Sequence, residues 1–198
     1  MFGAAYVAGA NSLLNAGGAQ AVAAAAYGTA SIPSVDIIVG PGNQWVTTAK
    51  QCVAGKVAID MLAGPSELVV VADHTANAKI IAADLLAQAE HDPNAIPILV
   101  TNSQALHLSV NVALTEQLLT LPTSEIATQA LQNGFTVLCG NDQEILAAVD
   151  SLAPEHLEVQ GREVELLANR FSHYGAIFIG EGAAEVLGDY GIGPNHVL

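Results

Sequence analysis

Two short motifs and a closing segment carry the residue types able to do chemistry: Gln88-Ala89-Glu90-His91, Pro154-Glu155-His156-Leu157, and Gly188-Asp189-Tyr190 running on to Pro194-Asn195-His196. Together they offer two histidines and an aspartate that could hold a metal, and a Glu-His pair suited to proton transfer. Gln88 and His91 are three apart in a stretch, 77–91, whose pattern predicts a helix. Their side chains then leave the same face one turn apart, which suits two ligands of one ion. A histidine of near-neutral pKa can take a proton from an alcohol and an adjacent carboxylate can activate water, each most effectively where water is scarce. Taken singly, each piece also has a plainer reading: a histidine near a helix end caps it or faces solvent, and a Glu-His pair can be an exposed pair. Sparseness favours the chemical reading, because the chain has 6 His and three of them fall in these clusters.

Several elements must position these groups. Short β-branched runs at 36–39, 57–60, 68–72, 96–101, 135–139 and 176–180 read as strands. Helical stretches at 18–27, 44–52, 77–91, 103–120, 123–133, 142–152 and 163–171 lie between them. Continuous apolar strands alternating with amphipathic helices predict an α/β fold with mainly parallel sheets covered on both faces. The turn Ala63-Gly64-Pro65-Ser66-Glu67 is the best boundary between two βα series, giving parts 1–66 and 67–198. Ligands in such sheets gather where strands end, so the loops after strands are the expected seat of the chemistry. Pro154 turns the preceding residue away from helix, which places Glu155 and His156 on an irregular turn.

Composition narrows the classes of function. With 19 acidic against 5 basic residues the formal charge is -14, which repels a phosphate backbone and excludes a nucleic-acid role. The cations Lys50, Lys56, Lys79, Arg162 and Arg170 are scattered and form no phosphate clamp, so a phosphate-bearing ligand must lean on backbone N–H groups. Cys52 and Cys139 have no paired spacing, which argues against a disulfide scaffold or a Cys-rich zinc site. Neither a signal peptide nor a membrane span is apparent, and the expected compartment is the cytoplasm.

Two glycine turns open helices. Gly17-Gly18-Ala19-Gln20 and Gly40-Pro41-Gly42-Asn43 each let a ligand approach backbone at a helix N-terminus, a position that favours an anion such as a pyrophosphate, and Asn43 stands where an N-cap belongs. An ordinary turn is the alternative for either taken alone. Gly180-Glu181-Gly182-Ala183-Ala184-Glu185 puts Glu where a dinucleotide fingerprint needs Gly or Ala, and reads as a turn. No P-loop, serine nucleophile elbow or Cys-His arrangement occurs, which leaves phosphoryl and acyl transfer without support.

In their order, these motifs resemble the histidinol dehydrogenase family. The stations are Gly17 to Gln20; Gly40 to Asn43 with Val46-Thr47 and Ala49-Lys50; Asp60-Met61 through Ser66-Glu67; Asp84-Leu85-Leu86 through His91; Pro154 to Leu157; and Gly188-Asp189-Tyr190 to Leu198. They run nearly end to end. The resemblance implies incomplete Rossmann-like domains and a zinc enzyme that oxidises L-histidinol to L-histidine through the aldehyde with two NAD. By matched position it implies Gln88, His91 and Asp189 as zinc ligands. Ser66 and His156, with those three, would touch substrate, and Gln20 and Asn43 would contact NAD. It makes His156 the base of the first hydride transfer and Glu155 the activator of the hydrating water.

The resemblance also implies a small-molecule substrate and a homodimer. This sequence has roughly half the family's length. Against the family pattern it starts partway through the nucleotide-binding half, without a tyrosine that contacts NAD. It also stops before a segment that brings another zinc-ligating His and a substrate-binding Glu from the partner subunit. The 198 residues alone are therefore expected to be inactive. A sister dehydrogenase with another alcohol substrate and a catalytically silent binding or assembly domain remain the alternatives.

Overall fold

The computed structural model describes residues 2–62 and 66–184. The chain forms two compact units, Met1–Gly64 and Pro65–Leu198. Within the first, α1 (Phe2–Val7) and α2 (Gly18–Tyr27) precede β1 (Ile37–Ile38), α3 (Gln44–Val53) and β2 (Ala58–Ile59). The helix α1 is not anticipated by the sequence pattern, and it has no buried residue. β1 and β2 pair in parallel, Ile37 with Ala58 and Ile38 with Ile59. A small core of Val22, Ala26, Val53 and Val57 joins the two longer helices to these strands.

In the second unit five strands lie in the order β5-β4-β3-β6-β7, every pairing parallel. They are β3 (Glu67–Ala72), β4 (Ile96–Thr101), β5 (Phe135–Leu138), β6 (His156–Gln160) and β7 (Ala176–Ile179). The connecting helices are α4 (Ala78–Ala89), α5 (Gln104–Leu118), α6 (Ser124–Leu131) and α7 (Asp142–Leu152), with a 3-10 helix at Val164–Arg170. Leu68 to Ala72 are fully buried because β3 is central and covered on both faces. Val69 and Val71 pack with Ile98, Val100, Leu157 and Val159 under α7 and the 3-10 helix. Leu68, Val70 and Ala72 face Ile81 and Leu85 of α4 and Leu106 and Val110 of α5. Each such side chain contributes about 1.5–3 kcal/mol through burial. The α/β class with parallel sheets and flanking helices is the one the sequence predicts.

Four expectations change. The strand β6 is not among those anticipated, because Glu158 and Gln160 interrupt its apolar run, yet both are buried on one face of the sheet. His156 therefore does not sit on an irregular turn but is the first residue of β6, while Glu155 lies on the bend that leads into it. The helix read over 77–91 ends at Ala89 with Glu90 as its C-cap, and the one read over 163–171 is a 3-10 helix.

The carboxyl edge of this sheet is closed by one side chain. Asp73, fully buried just beyond β3, accepts the Thr75 hydroxyl (2.6 Å), the Thr75 amide (2.7 Å) and the amides of Glu163 (2.7 Å) and Val164 (2.8 Å). Gly161 permits this approach: its φ is +117°, and a Cβ there would lie 2.7 Å from the Asp73 carboxylate. Burial opposes ionisation of Asp73, but the hydroxyl and three amides outweigh it and hold the carboxyl below its ordinary pKa. Asp73→Ala should destabilise the second unit by about 3–5 kcal/mol in chemical denaturation, since it strands buried donors. A depressed folded pKa gives stability that is present above the unfolded value of about 3.9 and lost as pH falls below it. The acid-induced loss should therefore be shallower in Asp73→Asn than in the wild type.

Candidate functional site

In a parallel sheet each connecting helix runs back against the strands, so the C-terminus of α4 reaches the edge where strands begin. That edge gathers Ser66 and Glu67 at the start of β3, Gln88 and His91 at the end of α4, and Glu155 and His156 at the entry of β6. The register fixes part of this set, because Leu68 pairs with His156 and so brings Glu67 beside Glu155. The chemistry-bearing groups thus lie at the amino edge, against the expectation of loops after strands. The physical reason is that the amides of the carboxyl edge are already bonded within the chain. Asp73 takes those of the 3-10 helix, and Asn77, Ser103 and Asn141 cap α4, α5 and α7. Glu181, in the turn read as a decoy, accepts the Asn77 amide at 2.8 Å.

Gln88 is 1% exposed, and its carboxamide is oriented by one strong constraint: Nε2 donates to the Ser66 carbonyl at 3.1 Å. This leaves Oε1 buried and without a hydrogen-bond partner among the described residues. A buried amide oxygen normally has a donor, so an orphan at this position suits coordination to a cation. The adjoining C-terminal end of α4 carries partial negative charge, which acts in the same sense. His91 lies just past the helix, exposed, its amide 3.4 Å from the Gln88 carbonyl. The described residues hold no cluster of three His, Cys, Asp or Glu side chains fit for a metal. Asp189, the remaining ligand implied by the family resemblance, lies outside the described residues, as do Asn195 and His196.

The Glu155-His156 pair is held by its backbone. Ala176 donates to the Glu155 carbonyl and Gly175 to the Pro154 carbonyl, both at 2.9 Å. The Glu67 carboxylate accepts the Glu155 amide; burial pushes the Glu67 pKa up, and the charge of Glu155 adds to the shift. Glu67 is the site neighbour that sequence reasoning treats only as part of a turn. Its signal was its place directly after Ser66, at the head of a buried strand. His156 is half-buried, and its ring sits 6.3 Å from that of Phe178 at a 37° tilt. Upstream, Ala153 ends α7 at φ 47°, the one non-glycine with positive φ among the described residues.

The nucleotide candidates belong to the first unit. Gln20 is exposed in the first turn of α2, whose N-cap Gly17 provides no side-chain acceptor. Asn43 does cap α3: its Oδ1 accepts the amides of Trp45 (3.1 Å) and Val46 (3.2 Å). Its acceptor is thus committed, and the Nδ2 donor is what it can offer a ligand. Gly42 is required by closeness, since a Cβ would meet Val46 at 2.6 Å. The preceding Gly40 is gripped by an ion pair. Lys50, 2% exposed, bonds Asp60 and donates to the Gly40 carbonyl at 2.9 Å, while Asp60 accepts the Gly40 amide at 2.6 Å and the Met61 amide at 2.7 Å. The Gly40 amide, followed by Lys50, holds the Asp60 carboxyl far below its usual range.

Fold and site together define an α/β protein whose second unit carries its polar side chains at the amino edge of a parallel sheet. Comparison with known proteins narrows this. The family model for histidinol dehydrogenase matches residues 1–198. The chain is 52% identical over 196 residues to the histidinol dehydrogenase of Bacillus cereus, covering 98% of this chain and 46% of that one. Against that of Parasynechococcus marenigrum it is 49% identical over 196 residues, covering 98% and 45%. A crystal structure of histidinol dehydrogenase from Elizabethkingia anophelis superposes with a TM-score of 0.89 at 40% identity, over 97% of this chain and 45% of that one. The chain belongs to the histidinol dehydrogenase family and spans about half the length of the curated relatives it matches.

Ala153 generates a test of the site's entry. An L-residue in this left-handed region costs roughly 1–2 kcal/mol, and a glycine would relieve that at about 0.4–1 kcal/mol in unfolded-chain entropy. Ala153→Gly should leave stability within about 1 kcal/mol of wild type, whereas the β-branched Ala153→Val should lower it by about 1–2 kcal/mol more. Urea denaturation of the two variants checks this.

Proposed function

We propose that this chain provides the zinc, substrate and proton-transfer side chains for the NAD-linked oxidation of L-histidinol to L-histidine through L-histidinal, the closing steps of histidine biosynthesis. The observation that carries the reading is the buried Gln88 Oε1 held ready by the Ser66 carbonyl. Family membership supports the substrate. In this reading Gln88, His91 and Asp189 hold zinc, and Ser66 and His156 join them against the substrate. Residues 1–66 form the nucleotide-binding part, with Gln20 and Asn43 on NAD, and 67–198 the zinc-binding and catalytic part. When bound, zinc would anchor the substrate's polar groups, and NAD would accept the hydride.

The chain's own residues do the proton work. His156 accepts the proton of the histidinol hydroxyl as the hydride leaves its carbon, giving the aldehyde. Glu155 then takes a proton from the water that adds to that aldehyde, so the hydrated form can lose a second hydride and end as the carboxylate. Pinning of the Glu155 amide and carbonyl limits its reach to one region of the site, which is what positioned acid-base groups require. The family resemblance further supports a homodimer. No helix among the described residues is long and apolar enough to cross a membrane, and a biosynthetic role fits the cytoplasm.

Zinc analysis of the purified chain tests the ligand set. After dialysis against a mild chelator the wild type should keep substoichiometric zinc, and Gln88→Ala and His91→Ala should each keep less; equal retention in both variants would remove these residues from the metal. In a full-length protein carrying this segment, His156→Asn and Glu155→Gln should remain folded and slow turnover by about 10²- to 10⁴-fold. They should differ by step. Glu155→Gln should still take histidinol to the aldehyde level but fail with supplied histidinal, and wild-type rates on histidinal would exclude its role with water.

A further inference from the structure

Behind the Gln88 and His156 edge, a second set of polar groups is buried between α4 and β6. Asp84 and Gln88 are four apart on α4 and share a face. His156, Glu158 and Gln160 alternate along β6, and their register partners Leu68, Val70 and Ala72 belong to the core under α4, so all three lie on the α4 side of the sheet. Gln160 Nε2 donates to Asp84 Oδ2 at 2.6 Å and to Glu158 Oε2 at 3.1 Å. Glu158 is 1% exposed and Gln160 2%. The Gln160 amide thus bridges both carboxyls. Burial moves the Asp84 pKa up.

We propose that Asp84, Glu158 and Gln160 are positioning residues: a hydrogen-bonded clamp that fixes α4 against β6 and thereby sets the approach of Gln88 to His156. Stability alone does not account for them. An apolar set of the same volume would hold helix to strand as firmly, because buried polar and ionic groups often contribute little net stability. What hydrogen bonds of fixed length add is register. Sliding α4 along β6 by even part of a turn would break the 2.6 Å contact between Asp84 and Gln160, whereas leucines would tolerate it. The next turn of the helix carries Gln88, and the neighbouring position on the same strand face carries His156, so the error would pass directly to the site.

The proposal rests on the zinc reading of Gln88, and its test separates the two. The purified chain, Asp84→Leu/Glu158→Leu and the isosteric Glu158→Gln are compared by zinc competition titration, by thermal melting, and by the imidazole NMR signals of His156 in the metal-free state. The double leucine variant should melt as a folded protein, lose zinc affinity by about 10- to 100-fold and shift the His156 signals. Glu158→Gln keeps a side-chain oxygen to accept the Gln160 amide and should match wild type in all three. A folded double variant with zinc affinity within about twofold of wild type and unmoved His156 signals overturns the clamp. If the double variant does not fold, Glu158→Gln decides: a tenfold loss of zinc there, with the acceptor for Gln160 retained, overturns the clamp. Failure of the zinc reading is a different result, a wild type that takes up no zinc, and in that case the His156 signals alone decide the clamp.

Discussion

Asp73 is the interaction on which the second unit depends. A parallel sheet sends the N-terminus of every following element to one edge, and the amides exposed there need acceptors. Many α/β folds leave that task to a bound anion at the point where strand order reverses. Between β3 and β6, where the order reverses here, Asp73 performs it from within, taking two amides of the 3-10 helix together with the Thr75 hydroxyl and amide. The carboxylate occupies the crevice, and Gly161 gives it room. With that edge filled, the opposite edge becomes the place where side chains of β3, α4 and β6 can converge without competing for backbone donors.

The first unit uses a charge differently. Its strands are only two residues each, too short to define a turn by pairing alone. The buried Lys50 and Asp60 supply what the strands cannot, gripping both the amide and the carbonyl of Gly40 and so fixing the turn that leads to Asn43. In a chain this acidic, one of its few cations is spent on shape and not on a ligand. A phosphate-bearing cofactor would find backbone and amide donors there, with the α2 N-terminus lacking a side-chain cap and the α3 N-terminus already satisfied.

The fold was largely legible because apolar periodicity reports burial. The run from Leu68 to Ala72 and the stretch 96–101 are buried as a two-sided parallel sheet requires. β6 escaped because Glu158 and Gln160 look like surface residues until Asp84, far away in sequence, is known to face them. Gln88 stood out as a candidate by its spacing; its buried, oriented amide was not legible, since that depends on the Ser66 carbonyl. Glu67 was hidden for the same kind of reason, because only the pairing of β3 with β6 brings it to Glu155. That the candidate residues gather at the amino edge could not be read, because Asp73, which fills the opposite edge, has no motif around it.

The strand β6 lies between β3 and β7, and it arrives late in the chain. Ser66, Gln88 and His91 belong to a contiguous strand-helix-strand segment whose contacts are comparatively local, and such segments close at low entropic cost. Glu155 and His156 join them only when β6 inserts beside β3 across most of the unit's sequence. The part of the edge that holds Ser66, Gln88 and His91 can thus form before Glu155 and His156 join it, so the order of synthesis along the chain is also the order in which the edge is assembled.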